Sequence, residues 1–513
     1  MPSNKKLLQA AAGSAGGDPL YVEDVFSTFL YTGTGAVKTI TNGIDLDGEG
    51  GVVWIKQRSG TEKHVLAYDE NKFVSSNTTD AVTTNVNYVQ SFNSNGFQVG
   101  AASPVNTNSS TFVSWTFRKA EKFFDIVTYT GNGASDRLLA HNLGAAPGMV
   151  FIKSTSATAN WSVYHVGLGP SAYLLLNSTA AYSLNGFSRT VSSTEYELGP
   201  NWPDENQNGR EYVAYFFGNA VGGFGDDGNE NIIKCGDFTK GSSGFQSVEL
   251  GFEPQFVLTK RIDAIGIWNM GDIMRGIVTG GDDGRLQAQS ADSEYTENFA
   301  EVHATGFSLN DAAGTYVYMA IRRPMKTPTA GTEVFQSLAY TGDGASTRNF
   351  DLNLTLDAYF QACRSSASYD FKNFTARLTG KGLYTAGTGA EFITNTSLDV
   401  QDGLRAIGFE NTLNQSGQTY IINGLKRAAG FMDVVAYSGT GVAGRTVAHN
   451  LGVAPAWMVI KCRNYARNWC TYNISLGNGY QIILNSSGAK ESTALWNSTT
   501  PTATQFTLNN DGD

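Results

Sequence analysis

The sequence predicts an all-β fold: a tandem array of about five antiparallel β-sandwich repeats of jelly-roll or lectin-like type, each about 100 residues, behind a short N-terminal segment. Three observations predict it. The first is a phrase written twice. Residues 123–153 read FFDIVTYTGNGASDRLLAHNLGAAPGMVFIK, and residues 431–461 read FMDVVAYSGTGVAGRTVAHNLGVAPAWMVIK. Tyr129 to His141 and Tyr437 to His449 are both 12 apart, and the match runs on through Asn160-Trp161 and Asn468-Trp469 to Leu176-Asn177 and Leu484-Asn485. Self-similarity at a fixed offset marks a repeated structural unit. The second is composition: 58 Gly, 23 Tyr and 29 Phe with only 16% charged residues suit strands joined by many turns. The third is alternation with a period of two in FDIVTYT and EYVAYFF, which reads as half-buried antiparallel strands. A hydrophobic content of 41% argues against disorder, and 513 residues exceed what one core organises.

Residues 1–24 form the lead. MPSNKKLLQAAAGSAGG suggests a short helix over residues 5–12 and a Gly-rich break after it, with Lys5, Lys6, Leu7 and Leu8 as candidate anchoring residues. Repeat one (25–119) opens with FSTFLYTGTG, continues through GGVVWIK and closes with TFVSWTFRK. Repeat two (123–219) is the reference copy. Its expected strands are FDIVTYT, RLLAHNL, GMVFIKS, NWSVYH, AYLLLNS, TEYELG and EYVAYFF, with Gly and Pro in the TGNG and NLGAAPG turns. Repeat three (224–324) has lost the YTG phrase but keeps EPQFVLTK, TGFSLN and the closing TYVYMAIRR. Repeat four (332–428) restores LAYTGDG and closes with TYIINGLKR. Repeat five (431–513) has no segment matching the closing strand, so the expectation is that the chain continues or that another chain supplies it. The joints are a few residues long, which predicts a semi-rigid rod of units set end to end.

Several function classes are disfavoured. A net charge of −10 and pI near 5.1 without a basic block give no indication of a nucleic-acid or anionic-membrane partner. HExxH, a Walker A loop, a strand-linked GxGxxG and a GxSxG elbow are all missing, and no carboxylate pair stands out as a glycosidase device. The expectation is therefore no enzyme, no cofactor and no metal. Four scattered cysteines make no disulfide framework, although Cys462 and Cys470 suit facing strands. No run approaches 18 apolar residues, so no membrane insertion is expected.

Four sets of residues are worth weighing against plainer roles. His141 and His449 lack ligand or acid–base partners at useful spacing and read as turn histidines bonding backbone groups. Lys56, Lys153, Lys260, Arg364 and Lys461 end the central apolar strand of each unit, either capping carbonyls or laying a row of charge along the rod. Trp161 with Tyr164, and Trp469 with Tyr472, are candidate glycan contacts, against the commoner role of aromatic core. The acidic turns at residues 45–49, 225–228 and 281–284 offer oxygen ligands for Ca²⁺ but match no dedicated loop.

The opening MPSNKKLLQAAAGSAGGDPLYVEDVFSTFLYTG and the repeated VTYTGNG, AHNLG and NW phrases resemble virion structural proteins of tailed phages, marine and cyanophage-like, of tail-fibre type. That resemblance implies a tail fibre or appendage in the virion, made in the host cytoplasm. It would attach by its N-terminus to other virion proteins of tail or capsid and project its repeats for host attachment. Homotrimerisation follows by analogy with fibres. Contact with a host surface glycan as a lectin-like module, or a capsid-decorating fibre, are the alternatives; a polysaccharide-degrading tailspike ranks last.

Overall fold

Repeat two shows how one unit is built in the computed structural model, which describes residues 18–184, 186–365, 373–408 and 411–510. Its strands are Phe124–Thr130, Leu138–Ala140, Met149–Ser154, Trp161–His165, Ala172–Leu175, Ser183–Leu184, Glu195–Glu197 and Glu211–Phe217. All seven expected strands are present, with a two-residue eighth. The closing strand Glu211–Phe217 lies between the first strand and the central strand Met149–Ser154, so it pairs on both sides; Phe217 faces Phe124 on one side and Met149 on the other. The sheet then continues through the Trp161–His165 hairpin to six strands, while Leu138–Ala140 and Glu195–Glu197 form a small second layer. Leu139 and Tyr196 of that layer pack on Val150, Ile152, Ala214 and Phe216, which closes a sandwich core.

The same order recurs in units one, three and four, each with a six-stranded antiparallel sheet and a three-stranded second layer. Unit five differs. Its large sheet holds four strands, starting at an outer edge with Trp457–Lys461, and residues 434–440 run beside it outside any strand ladder. The chain is thus all-β, an array of antiparallel sandwiches as the sequence predicts.

Register corrects one reading. Met149 pairs with Phe217 in unit two and Ala358 pairs with Leu425 in unit four, so counting four residues on places Ala362, not Arg364, at the Lys153 position. Arg364 is exposed, and its N–H donates to Thr419 as that of Thr155 does to Glu211.

The units are not strung end to end. Units one, two and three share one core, which joins Trp54, Trp115 and Phe117 to Met149, Phe151 and Tyr215 and to Phe256, Leu258 and Met319. Trp54 meets Phe151 with ring centres 6.5 Å apart, Trp115 meets Phe256 at 5.8 Å, and Phe117 meets Phe217 at 5.6 Å. The large sheets therefore have apolar matter on both faces. Gly51–Gln57 and Met149–Ser154 are buried at every position, as are all but the first residue of Glu211–Phe217. Alternation in the closing strand predicts one solvated face; the neighbouring unit covers it instead.

Candidate interaction site

The features most suggestive of function lie where units meet, and each is built from residues the repeat places at a fixed spacing. An aromatic residue stands eight positions after the lysine of the central strand: His64 after Lys56, Trp161 after Lys153, Trp268 after Lys260, Trp469 after Lys461. Trp161 Nε1 donates to the Ser75 carbonyl of unit one at 2.9 Å, and Trp268 Nε1 to the Leu175 carbonyl of unit two at 2.9 Å. In unit one, Trp54 Nε1 can only donate, so His64 Nδ1 accepts it and Nε2 carries the proton that reaches the Gln287 carbonyl of unit three at 3.0 Å. Ser75, Leu175 and Gln287 occupy one register position, so the three contacts close a ring: two on one, three on two, one on three. Trp469 Nε1 donates to Tyr384 of unit four at 3.0 Å, the same step repeated between units four and five.

The lysines belong to these seams. Lys153 Nζ donates to Thr79 of unit one at 3.1 Å, Lys260 Nζ to Thr179 of unit two at 3.1 Å, and Lys461 Nζ to Thr388 of unit four at 3.2 Å. Lys56 turns back to Gln57 and Gly60. Lys56, Lys153 and Lys260 are fully buried, and burial lowers each ammonium to about 8. They cap carbonyls and lay no row of charge on a surface.

Trp161, Tyr164, Trp469 and Tyr472 are all buried, which removes them as a stacking platform. The first and third sit in seams; Tyr164 and Tyr472 face their own sandwich cores. His141 and His449 are turn residues: Nδ1 accepts the Leu143 and Leu451 N–H groups at 3.3 and 3.2 Å, and burial lowers both imidazoles. The rest of the AHNLG phrase grips the joint. Asp125 and Asp433 accept the Asn142 and Asn450 N–H at 2.7 Å each, while the Leu143 and Leu451 carbonyls accept Lys122 and Gly430 N–H at 2.6 and 2.7 Å.

Lys5, Lys6, Leu7 and Leu8 lie outside the described residues. Residues 18–24, assigned to the same anchoring segment, turn inward instead. Val22 is in the shared core, and Glu23 Oε1 accepts the Met325 and Lys326 N–H at 2.7 and 2.8 Å, clasping the chain's entry to the exit of unit three.

One carboxylate in each acidic turn is already bonded within the protein. Asp45 Oδ1 accepts Gly48 N–H at 3.0 Å, and Asp226 Oδ1 accepts the Tyr21 hydroxyl at 2.5 Å. Asp283 is buried under three backbone donors, Val278, Phe299 and Ala300; burial pushes it up to about 7. Among the described residues no group of three or more His, Cys, Asp or Glu is placed to hold a metal ion. All four cysteines are free thiols, Cys462 and Cys470 included.

Two features escape the sequence reading. One is a buried Asn five residues before each closing strand, Asn106, Asn206 and Asn414, which folds the YTG turn onto itself. Asn206 Oδ1 accepts Asn132 N–H at 3.1 Å and its Nδ2 donates to Ala134 at 3.0 Å; the other two repeat the pattern. The fixed spacing was the available signal; unit three, which lacks the YTG turn, keeps an Asn there, but Asn310 Nδ2 donates instead to the Asn298 carbonyl at 3.0 Å. The other is a buried ionic junction of units three, four and five. Arg427 donates to both Glu253 oxygens at 2.7 and 2.6 Å and to Asp433 at 2.7 Å. Burial works against the Asp433 charge, but Arg427 and Arg323 hold its carboxyl below the usual range.

A cavity of about 230 Å³ opens beside this junction, lined by Tyr21, Asp226, Glu230, Glu253, Arg322 and Asn450 among others. Three of its four acids are paired, Glu230 with Arg322, Glu253 with Arg427 and Asp226 with Tyr21, and the fourth, Asp227, is exposed. The outward face of unit five is apolar where units one to three are closed. Trp457, Ile482 and Leu484 are 54%, 39% and 41% exposed, whereas their unit-two counterparts Met149, Leu174 and Leu176 are 0%, 1% and 0%. Among the described residues no helix is long and apolar enough to cross a membrane.

No curated protein matches the chain. One family model, described as a domain of unknown function, matches residues 22–324 and 330–513, across the repeats, the inter-unit seams and the open flank of unit five alike. The protein therefore belongs to the DUF7483 family.

Proposed function

We propose that the protein is a structural and interaction component of a virion, of the tail-fibre or appendage type, made in the host cytoplasm and attached to other virion proteins of tail or capsid. The observation that carries this reading is where the chemistry-bearing side chains go. The central-strand lysines, the tryptophans eight positions on, His64, His165 and Arg427 are spent on holding units to one another or to their own turns. Such an arrangement favours a scaffold over a reaction centre. The phage assignment itself rests on the resemblance of the opening and the repeat phrases.

Labelling of intact particles with an antibody to the chain, viewed by electron microscopy, tests the reading. Label on tail or outer surface is expected; label confined to the capsid interior, or none on any particle, sinks it. A glycan array on the purified chain is expected to give no binding that depends on Trp161 or Trp469, since both are enclosed.

A further inference from the structure

Four of the five histidines, His64, His141, His165 and His449, are buried in seams and turns. The fifth, His303, is half-buried on the outer face of unit three, where two hydroxyls meet its ring. That face belongs to the unit's three-stranded second layer. Gly306–Leu309 lies in the middle, with Gln246–Glu249 on one side and Ala300–His303 on the other. Val248 and Leu250 turn into the core, while Ser247 and Glu249 face out. Glu249 and His303 both stand opposite Gly306. The imidazole Cε1 lies 3.0 Å from where a Cβ at Gly306 would sit, so the glycine leaves the ring room to cross the middle strand toward Ser247.

The hydrogen bonds across this face have a forced direction. Thr305 Oγ1 donates its one proton to Glu249 Oε2 at 2.6 Å. The same oxygen lies 3.4 Å from His303 Nδ1 and can there only accept, so Nδ1 carries the ring proton of the neutral imidazole. Nε2 is left as an acceptor, and Ser247 Oγ is 3.2 Å from it. Ser247 Oγ also lies 3.4 Å from Glu249 Oε1. A hydroxyl on a bare imidazole nitrogen, with the far nitrogen pinned through a second hydroxyl to a carboxylate, is the arrangement of a nucleophile, its base and an orienting group. The strand adds a donor. Leu250 N–H donates to the Thr305 carbonyl opposite, so, counting by two along an antiparallel pair, the Ser247 N–H points to the open edge of the layer. Strand pairing does not require these residues. Unit one builds the same layer with Thr39, Thr41, Asn93 and Asn95 at the positions of Ser247, Glu249, His303 and Thr305.

We propose that Ser247 is a nucleophile for acyl transfer from carboxylic esters with a small acyl group, with His303 as its base and Thr305 and Glu249 as positioning residues. Ser247 Oγ adds to the ester carbonyl carbon as its proton passes to His303 Nε2, and the Ser247 N–H meets the oxygen that gains charge. The bond to the alcohol oxygen then breaks, and that oxygen takes the proton from Nε2. Water repeats both steps, which releases the carboxylic acid and restores the serine. Ser247 and Glu249 are exposed on a sheet face, so the alcohol part is unrestricted in size and the acyl part is held only at its carbonyl. This activity goes beyond the scaffold reading and does not depend on it.

The test uses the full chain and p-nitrophenyl acetate, read as p-nitrophenolate release and as acetyl located by peptide mass spectrometry. Acetyl on Ser247 is expected, and Ser247→Ala and His303→Gln should each lower the rate by on the order of a hundredfold. Thr305→Val frees the ring proton to move to Nε2 and should lower the rate by roughly tenfold or more, with Thr305→Ser restoring it. None of these side chains is buried, so the variants keep the fold. Ser247 free of acetyl, a wild-type rate no higher than that of free imidazole at equal concentration, or equal rates in Thr305→Val and wild type overturns the proposal. So does a rate unchanged in Ser247→Ala, which would make the imidazole itself the nucleophile.

Discussion

His64 gives the sharpest test of the ring, because its contact across the seam requires an imidazole that stays neutral. It stands where units two, three and five carry tryptophan, and its fully buried imidazole must be neutral to accept the Trp54 indole while donating to Gln287. Burial, the largest cause, lowers its pKa to about 3; His165, bonded to the Tyr318 carbonyl at 3.0 Å, falls to about 4. A depressed histidine leaves the unfolded chain holding the extra proton, so stability is full above pH 6.5 and falls as the pH drops toward the folded value. Between pH 7 and pH 5 the loss is about 2 kcal/mol per buried histidine, for an unfolded pKa near 6.5. The perturbation is the double substitution Trp54→Phe with His64→Trp, which writes the Phe151 and Trp161 pair of unit two into unit one. Urea-unfolding midpoints at pH 7 and pH 5 are the assay. The variant should lose about 2 kcal/mol less than wild type over that interval, and His64→Trp alone should overpack the seam at a cost of about 1–3 kcal/mol. An identical acid loss in wild type and double variant would refute the ring contact as described.

Three further outcomes follow from other contacts. Lys122 holds a left-handed backbone (φ 66°) where unit five uses Gly430 (φ 74°), so Lys122→Gly should raise stability by about 1 kcal/mol in the same urea assay. Asn206→Ala should cost about 1–3 kcal/mol by orphaning the Asn132 N–H and Ala134 carbonyl, visible as faster deuterium exchange over residues 131–134. Arg427→Met leaves Glu253 and Asp433 buried with only the longer Arg323 contacts of 3.4 and 3.2 Å and should cost about 3–5 kcal/mol. Its signature is release of units four and five from the ring, read as faster proteolysis at residues 324–334 with units one to three still resistant.

Much of the single unit was legible in the sequence, because repetition and alternation report on local pairing. The seven strands of repeat two, the histidine turns and the carbonyl-capping lysines are of this kind. How units pack was harder to see, although two signals were present. GVVWIK and PGMVFIK show no polar alternation in the middle, the mark of a strand covered on both faces, and that should have argued against a rod. The constant eight-residue step from lysine to Trp or His tied those residues to one structure, but nothing local says that its partner carbonyl lies in another unit. Trp161 and Tyr164 were read as a pair for the same reason: neighbours in a strand point to opposite faces by odd steps, and here one enters the seam and the other the unit's own core. Arg364 lies two residues past the Lys153 position, and unit four carries Ala362 in place of lysine, so the nearest cation in the sequence is not the one the register aligns.

The contact of His64 with Gln287 closes the first ring across 223 residues of chain. A ribosome adding about 5–20 residues per second needs on the order of 10–45 seconds to cover that distance. Throughout that interval unit one has emerged with its indole–imidazole pair bare. On a crowded polysome the nearest Gln287 then belongs to an older nascent chain, so exchange of third units between chains is the misassembly this architecture has to outrun.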